Sequence, residues 1–179
     1  MMMADGHTTR GLLAHQLASH HPAKSGPEIV SCQPVGLNPG LASVIAERAA
    51  EVCRAAVWEL TDASLLLAAH GTARDRGSRR AAEAHADRIR GLGAFATVAM
   101  AFLDEDPAVP VALAALPTRN CVAVGLFSEH GCHGAEDLPR LLARGGRNTI
   151  YTGSIGADSR ISDLILEQVA SADALRGAA

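Results

Sequence analysis

Four short apolar runs recur along the last two-thirds of the chain, each followed by a stretch with helical character, and this alternation constrains the fold more than any other feature. The runs are Ser64–Ala69, Thr97–Leu103, Cys121–Phe127 and Thr149–Thr152. Each has the length of a buried strand, and none alternates polar with apolar residues, as expected when both sheet faces are covered. Between them lie helical segments. Residues from about 75 to 90 are rich in Ala, Arg and Glu and end at Gly91 and Gly93. Pro107–Leu116 carries a proline in its first turn, and Glu136–Ala143 stops at Gly145-Gly146. A last helix is expected from Asp158 as N-cap, with Ile161, Leu164, Ile165 and Val169 on one face. Strand-helix alternation of this kind predicts a flavodoxin-like α/β fold, a parallel sheet with helices on both faces and right-handed crossovers. Ligands of such sheets bind beyond the carboxyl ends of the strands, so the residues after each run are where chemistry is expected.

The first 60 residues read differently. Glu28–Cys32 is expected as a strand and Gly40–Val57 as a helix. Residues 29–50 can be laid on 149–170 at a constant offset. Gly36 then falls on Gly156, Ile45 on Ile165 and Glu47 on Glu167, and the apolar phase is kept. Further upstream, Gly6-His7 echoes the segment at His133, with an insertion. The division expected is an N-terminal remnant of an earlier half over 1–60, carrying His7, and one complete half over 61–179. A chance match between two strand-helix segments is the alternative.

Composition removes several classes of function. The net charge of -3 gives no basic face for nucleic acid. No apolar run approaches the roughly 20 residues that span a bilayer. MMMADGHTTR lacks the basic stretch and apolar core of a secretory leader. The four cysteines, Cys32, Cys53, Cys121 and Cys132, form no C-x-x-C pair and read as reduced thiols. A cytoplasmic location is therefore expected. Aromatic residues make up 3% of the chain, too few for a site of stacked rings.

Two segments that follow strands can carry chemistry. His70-Gly71-Thr72-Ala73-Arg74 follows the first run, and Ser128-Glu129-His130-Gly131-Cys132-His133-Gly134 follows the third. In a sheet of order 2-1-3-4 the first and third strands are neighbours, which brings His70 and His133 to one crevice. Neutral imidazoles suit first-row divalent metals, and two of them leave coordination positions open. Gly71, Gly131 and Gly134 permit tight turns and close approach of a flat ligand. Backbone N–H groups after Gly71-Thr72, with Arg74, Arg76, Arg79 and Arg80, offer a mouth for carboxylates. The competing readings stay open at this stage. A strand-end histidine can be an ordinary hydrogen-bonded residue, the arginines a solvated face, Cys132 a buried small residue, and His130 a third ligand or an exposed side chain. His15, His20, His21 and His85 receive no role.

At these residues the sequence resembles the small class II chelatases, the sirohydrochlorin cobaltochelatase and ferrochelatase family. The resemblance rests on four features in order over about 62–172. They are the strand ending in His70-Gly71-Thr72, Phe102-Leu103-Asp104 where the family has Phe-Leu-Glu, Gly131–Pro139 (GCHGAEDLP), and Ile155-Gly156-Ala157-Asp158 before the last helix. The resemblance implies a chelatase-like fold, metal binding by His70 and His133, and a carboxylate at Asp104 with shorter reach than glutamate. It implies insertion of Co2+ or Fe2+ into sirohydrochlorin for cobalamin or siroheme, with no cofactor beyond that substrate metal. His70, His133 or Asp104 accepts pyrrole protons. Gly71, Thr72, Arg74 and Gly131 contact the macrocycle, and a homodimer is implied by the family's short members. A chelatase for another metal or tetrapyrrole, and a non-catalytic metal or tetrapyrrole carrier derived from a two-half enzyme, are the rival expectations.

Overall fold

Leu65, Leu67 and Ala69 point to one side of their strand and Leu66 and Ala68 to the other, and all five are buried. A strand with two apolar faces must sit in the middle of a sheet with helices above and below. The computed structural model describes residues 3–4, 8–20, 29–72 and 76–177 and has that arrangement. Four strands, β1 (Ala63–Ala69), β2 (Thr97–Phe102), β3 (Asn120–Gly125) and β4 (Asn148–Ser154), form a parallel sheet in the order β2-β1-β3-β4. The expected neighbourhood of the first and third strands is therefore present.

The helices are α1 (Ala14–His20), α2 (Leu41–Ala55), α3 (Gly77–Gly91), α4 (Val109–Ala115), α5 (Leu138–Ala143) and α6 (Ile161–Gly177). One hydrophobic cluster joins Leu65, Leu67, Val122 and Val124 to Ile45 of α2, Ala82, Ala86 and Ile89 of α3, and Leu164 of α6. The other joins Leu66, Ala68, Cys121 and Ala123 to Val109 and Leu113 of α4 and Leu138 and Leu142 of α5. In α3 the buried positions Ala81, Ala82, His85, Ala86 and Ile89 form a single stripe at helical spacing. Small alanines on that stripe let the helix lie close to the sheet.

Two expectations are corrected, and the cap of the last helix holds. No strand forms over the described residues 29–34, which pair with no neighbour. A strand needs a partner ladder, and this segment lies instead against α6, with Cys32 Sγ 4.0 Å from the Gln168 carbonyl oxygen. Asp158 caps the last helix as expected: its backbone is extended, at φ -71° and ψ 134°, and its carbonyl accepts the Ile161 N–H at 3.1 Å. Its carboxylate accepts the backbone N–H of Arg160 and is gripped by the Arg160 side chain, and the helix begins at Ile161. On α6, Ile161 and Leu164 are buried, but Ile165 and Val169 are exposed. Some local features recur at the same offset. The 3-10 turns Val35–Leu37 and Ile155–Ala157, and the starts of α2 and α6, are each 120 residues apart. Asn38 Oδ1 accepts Gly40 N–H at 2.8 Å just as Asp158 Oδ1 accepts Arg160 N–H at 3.1 Å. His7 lies outside the described residues.

No helix of the described residues is long and apolar enough to cross a membrane.

Candidate metal-handling site

The sheet register fixes the site. Ala69 of β1 pairs with Phe102 of β2, and Ala68 pairs with Gly125 of β3. His70 thus emerges at the carboxyl edge beside Leu103 and Asp104, whose backbone N–H groups both donate to the His70 carbonyl at 3.0 Å. After β3 the chain leads through Leu126 and Phe127 to a single π-helical turn, His133–Asp137, that runs directly into α5. Such wide turns recur at functional sites because they re-aim a side chain. Here the turn brings the His133 ring against the His70 ring, with centroids 4.7 Å apart and planes at 80°.

The hydrogen bonds decide which ring nitrogens face outward. His70 Nδ1 lies 2.6 Å from the Gly71 carbonyl oxygen, and His133 Nδ1 lies 2.9 Å from Asp137 Oδ2. A carbonyl and a carboxylate can only accept, so both Nδ1 atoms carry a proton, and in the neutral rings both Nε2 lone pairs are free. This is the arrangement in which a histidine ligates metal, its other nitrogen held by an oxygen. Asp104 Oδ2 lies 3.5 Å from His70 Nε2. The His70, His133 and Asp104 side chains are about half exposed, so the cluster is open on one side. Among the described residues no three or more His, Cys, Asp or Glu side chains converge into a cage.

A cavity of about 410 Å³ opens here, lined by His70, Gly71, Thr72, Gly131 and His133 together with Phe127. Gly71 is required by its backbone. It has φ +71°, and a Cβ there would lie 2.6 Å from Glu105 Cγ and 2.8 Å from Phe102 Cβ. Gly131 differs: its backbone is not left-handed and a Cβ would meet nothing within 4 Å, so only openness speaks for glycine.

Other expectations shift. The helix after Gly71-Thr72 starts only at Gly77, so its N-terminus does not abut the glycine turn, and Arg74 lies outside the described residues. Arg79 is not available to a ligand: its guanidinium pairs with Glu105 at 2.8 Å and lies 4.5 Å over the Phe102 ring. Arg76 and Arg80 are exposed. Cys132 is exposed rather than buried. Cys121 is buried, and desolvation pushes its thiol up to about 12, which keeps it neutral and apolar in character. His130 stands apart from the pair. Its ring covers Gly153, a left-handed glycine at φ +89° in the irregular part of β4, and its Nδ1 accepts Ser154 N–H at 3.4 Å. It lines a second cavity of about 530 Å³ with Arg48, Thr152 and Arg160. The sequence does not single out three residues that the structure places at the site: Phe127 and Met3 line the His70 cavity, and Asp137 holds the His133 ring. The signal for Asp137 was its spacing of four from His133, one helical turn.

Known proteins share this fold and much of this sequence. A curated relative, "Probable sirohydrochlorin cobaltochelatase" of Halobacterium salinarum, is 33% identical over 157 residues, covering 80% of this chain and 53% of its own length. The chain therefore spans about half the length of the curated relative it matches. Among solved structures, CbiX, described as the terminal enzyme for biosynthesis of siroheme in denitrifying bacteria, superposes with a TM-score of 0.82 at 27% identity, over 95% of this chain and 72% of that one. SirB from Bacillus subtilis with Fe3+ shares the fold, with a TM-score of 0.75 at 15% identity over 96% of this chain and 69% of that one. The CbiX family profile matches residues 64–172, which include both histidines, Asp104 and all of the sheet but Ala63, and on that match the chain belongs to the CbiX family.

Proposed function

We propose that this chain inserts a divalent metal, Co2+ or alternatively Fe2+, into sirohydrochlorin, in cobalamin or siroheme biosynthesis. The observation that carries the reading is the facing pair of imidazoles, each with Nδ1 tied to an oxygen and Nε2 free at an open cavity. Co2+ stands first because the curated relative bears a cobaltochelatase name. The metal is a substrate in transit, and two neutral nitrogens hold it without closing its coordination sphere. Insertion replaces two pyrrole N–H protons by the metal. Asp104 accepts one, and an imidazole that has surrendered the metal accepts the other. General-base assistance of this kind typically contributes about 10²–10⁴-fold. Gly71, Thr72 and Gly131 face the macrocycle, and the exposed Arg76 and Arg80 supply charge for its carboxylates. Arg74 enters on its sequence position alone.

Residues 1–60 are read as the end of a preceding half and 61–179 as a complete one. The repeated 3-10 turn, Asx turn and helix start support this. A homodimer and a cytoplasmic location belong to the same proposal.

The test is an anaerobic absorbance assay with sirohydrochlorin and Co2+, then Fe2+, beside His70→Ala and His133→Ala. Catalytic conversion above the spontaneous rate, lost in both variants, is expected, and the relative rates rank the two metals. Stoichiometric binding without turnover in every combination would replace the enzyme by a carrier. Undiminished turnover in the variants would remove the two histidines from the reaction.

A further inference from the structure

The segment between β2 and α4, residues 103–108, carries Asp104 to the metal site, and its hold on the rest of the protein is unusually well built. Three anchors are visible. Leu103 and Asp104 donate to the His70 carbonyl, and Phe102 N–H donates to the Pro107 carbonyl at 3.0 Å, closing the loop on itself. The third anchor is Arg79 of α3. Its Nε lies 2.8 Å from Glu105 Oε1, its Nη2 donates to the Asp106 carbonyl, and its guanidinium lies over the Phe102 ring at 4.5 Å. Nη1 adds a looser contact to Glu83 at 3.7 Å, on its own helix. The Glu105 side chain is 13% exposed and Arg79 24%, so this is not a solvated surface pair. Glu105 is also wedged against the His70-Gly71 turn, its Cγ occupying the space a Cβ at Gly71 would need.

We infer that Arg79, acting through Glu105, is the positioning residue that sets Asp104 against His70 and thereby sets the metal affinity of the site. This rests on the metal-binding role proposed for His70 above and extends the role of Asp104, whose carboxylate stands 3.5 Å from the metal-facing Nε2, to contact with the metal. The physical reason is reach. Aspartate has two side-chain torsions, so the place of its carboxylate is decided largely by the place of its backbone. At 3.5 Å from His70 Nε2, and 62% exposed, the Asp104 side chain has no packing of its own to hold it. Displacements of about 1 Å in such constellations are costly. The Arg79 guanidinium spans the residues on either side of the following peptide, ion-paired with the Glu105 carboxylate and hydrogen-bonded to the Asp106 carbonyl, while stacking on the strand residue that precedes the loop. Only a planar guanidinium can make these contacts together; an ammonium can keep the charge but not the fork or the stack.

The experiment is a Co2+ binding titration on the full chain, with thermal unfolding to confirm folding, for Arg79→Gln, Arg79→Lys, Glu105→Gln, Asp104→Ala and the double variant Arg79→Gln/Asp104→Ala. Arg79→Gln is expected to weaken Co2+ binding about 10-fold, the scale on which outer partners of metal ligands act. Arg79→Lys should recover part of that loss. In the Asp104→Ala background the Arg79→Gln effect should vanish, because a residue acting through Asp104 has nothing left to position. Unchanged affinity in Arg79→Gln, or the same loss with and without Asp104, would overturn the inference. Should Arg79→Gln not fold, Glu105→Gln and Arg79→Lys carry the same comparison. If Asp104→Ala alone leaves Co2+ affinity intact while His70→Ala abolishes it, Asp104 is not at the metal, and the inference falls with that premise while the histidine site stands.

Discussion

The Nδ1–H of His133 donates to Asp137 Oδ2 at 2.9 Å across one turn, and this bond fixes both the tautomer and the direction of the ring. Arg140 lies 3.7 Å from the other Asp137 oxygen, so the carboxylate is held from its far side as well. Asp137→Asn keeps the shape but removes the charge that faces the His133 Nδ1–H. Co2+ affinity measured by calorimetry should fall about 10-fold, with little change in melting temperature. Asp137→Ala should cost more, since the ring is then free to turn. Wild-type affinity in both variants would show that His133 needs no carboxylate.

Gly71 combines a left-handed backbone with contacts no side chain can share. Gly71→Ala pays for the φ of +71° and must displace Glu105 Cγ or Phe102 Cβ. The two effects together are expected to destabilise the fold by about 2–4 kcal/mol. Urea unfolding would read this as a lower midpoint at constant slope. A loss below about 0.5 kcal/mol would mean the loop yields freely.

Arg160 binds Asp158 through Nε at 2.8 Å and Nη2 at 2.7 Å and reaches Glu51 of α2 at 2.9 Å. The Arg160 hydrogen bonds hold the Asp158 carboxyl below its ordinary range, against the opposing effect of burial. Because the folded pKa is the lower one, the unfolded chain takes up the proton first as pH falls. The stabilisation is fully present above the unfolded value of about 3.9 and is lost as pH drops through the folded value. Arg160→Gln should therefore cost about 1–2 kcal/mol at pH 7 and much less at pH 3, measured by denaturant titration at both. An equal cost at the two pH values would contradict the pairing.

His85 received no role from the sequence, yet it is 2% exposed, and its Nε2–H donates to the Gly36 carbonyl at 2.7 Å. Burial lowers its pKa, the hydrogen bond to Gly36 opposes this, and Arg88 adds to the lowering. The folded state keeps this ring neutral, so its contribution is present above about pH 6.5 and is lost as pH falls from there through the folded value. His85→Gln retains a donor for Gly36 and removes the titration. Its stability should vary less with pH between about 7 and 5 than that of the wild type, and an unchanged slope would exonerate His85.

The sequence by itself determined the sheet. Short two-faced apolar runs such as Leu65–Ala69 and Val122–Val124 can be satisfied only between helices, and parallel β-α connections leave few strand orders. The position of His70 and His133 after neighbouring strands followed from that order, since backbone register carries side chains with it. Local signals failed where a partner decides the outcome. Ile29 and Val30 have strand character but no ladder to join, and they remain 48% and 40% exposed. Tertiary structure alone decided which imidazole nitrogen is free, that Asp137 and Gly71 hold the rings, that His130 turns to another cavity, and that Arg79 serves the loop rather than a ligand. Each depends on distances between segments far apart in sequence, and hydrogen bonds and ion pairs are too short-ranged to be read from spacing along a chain.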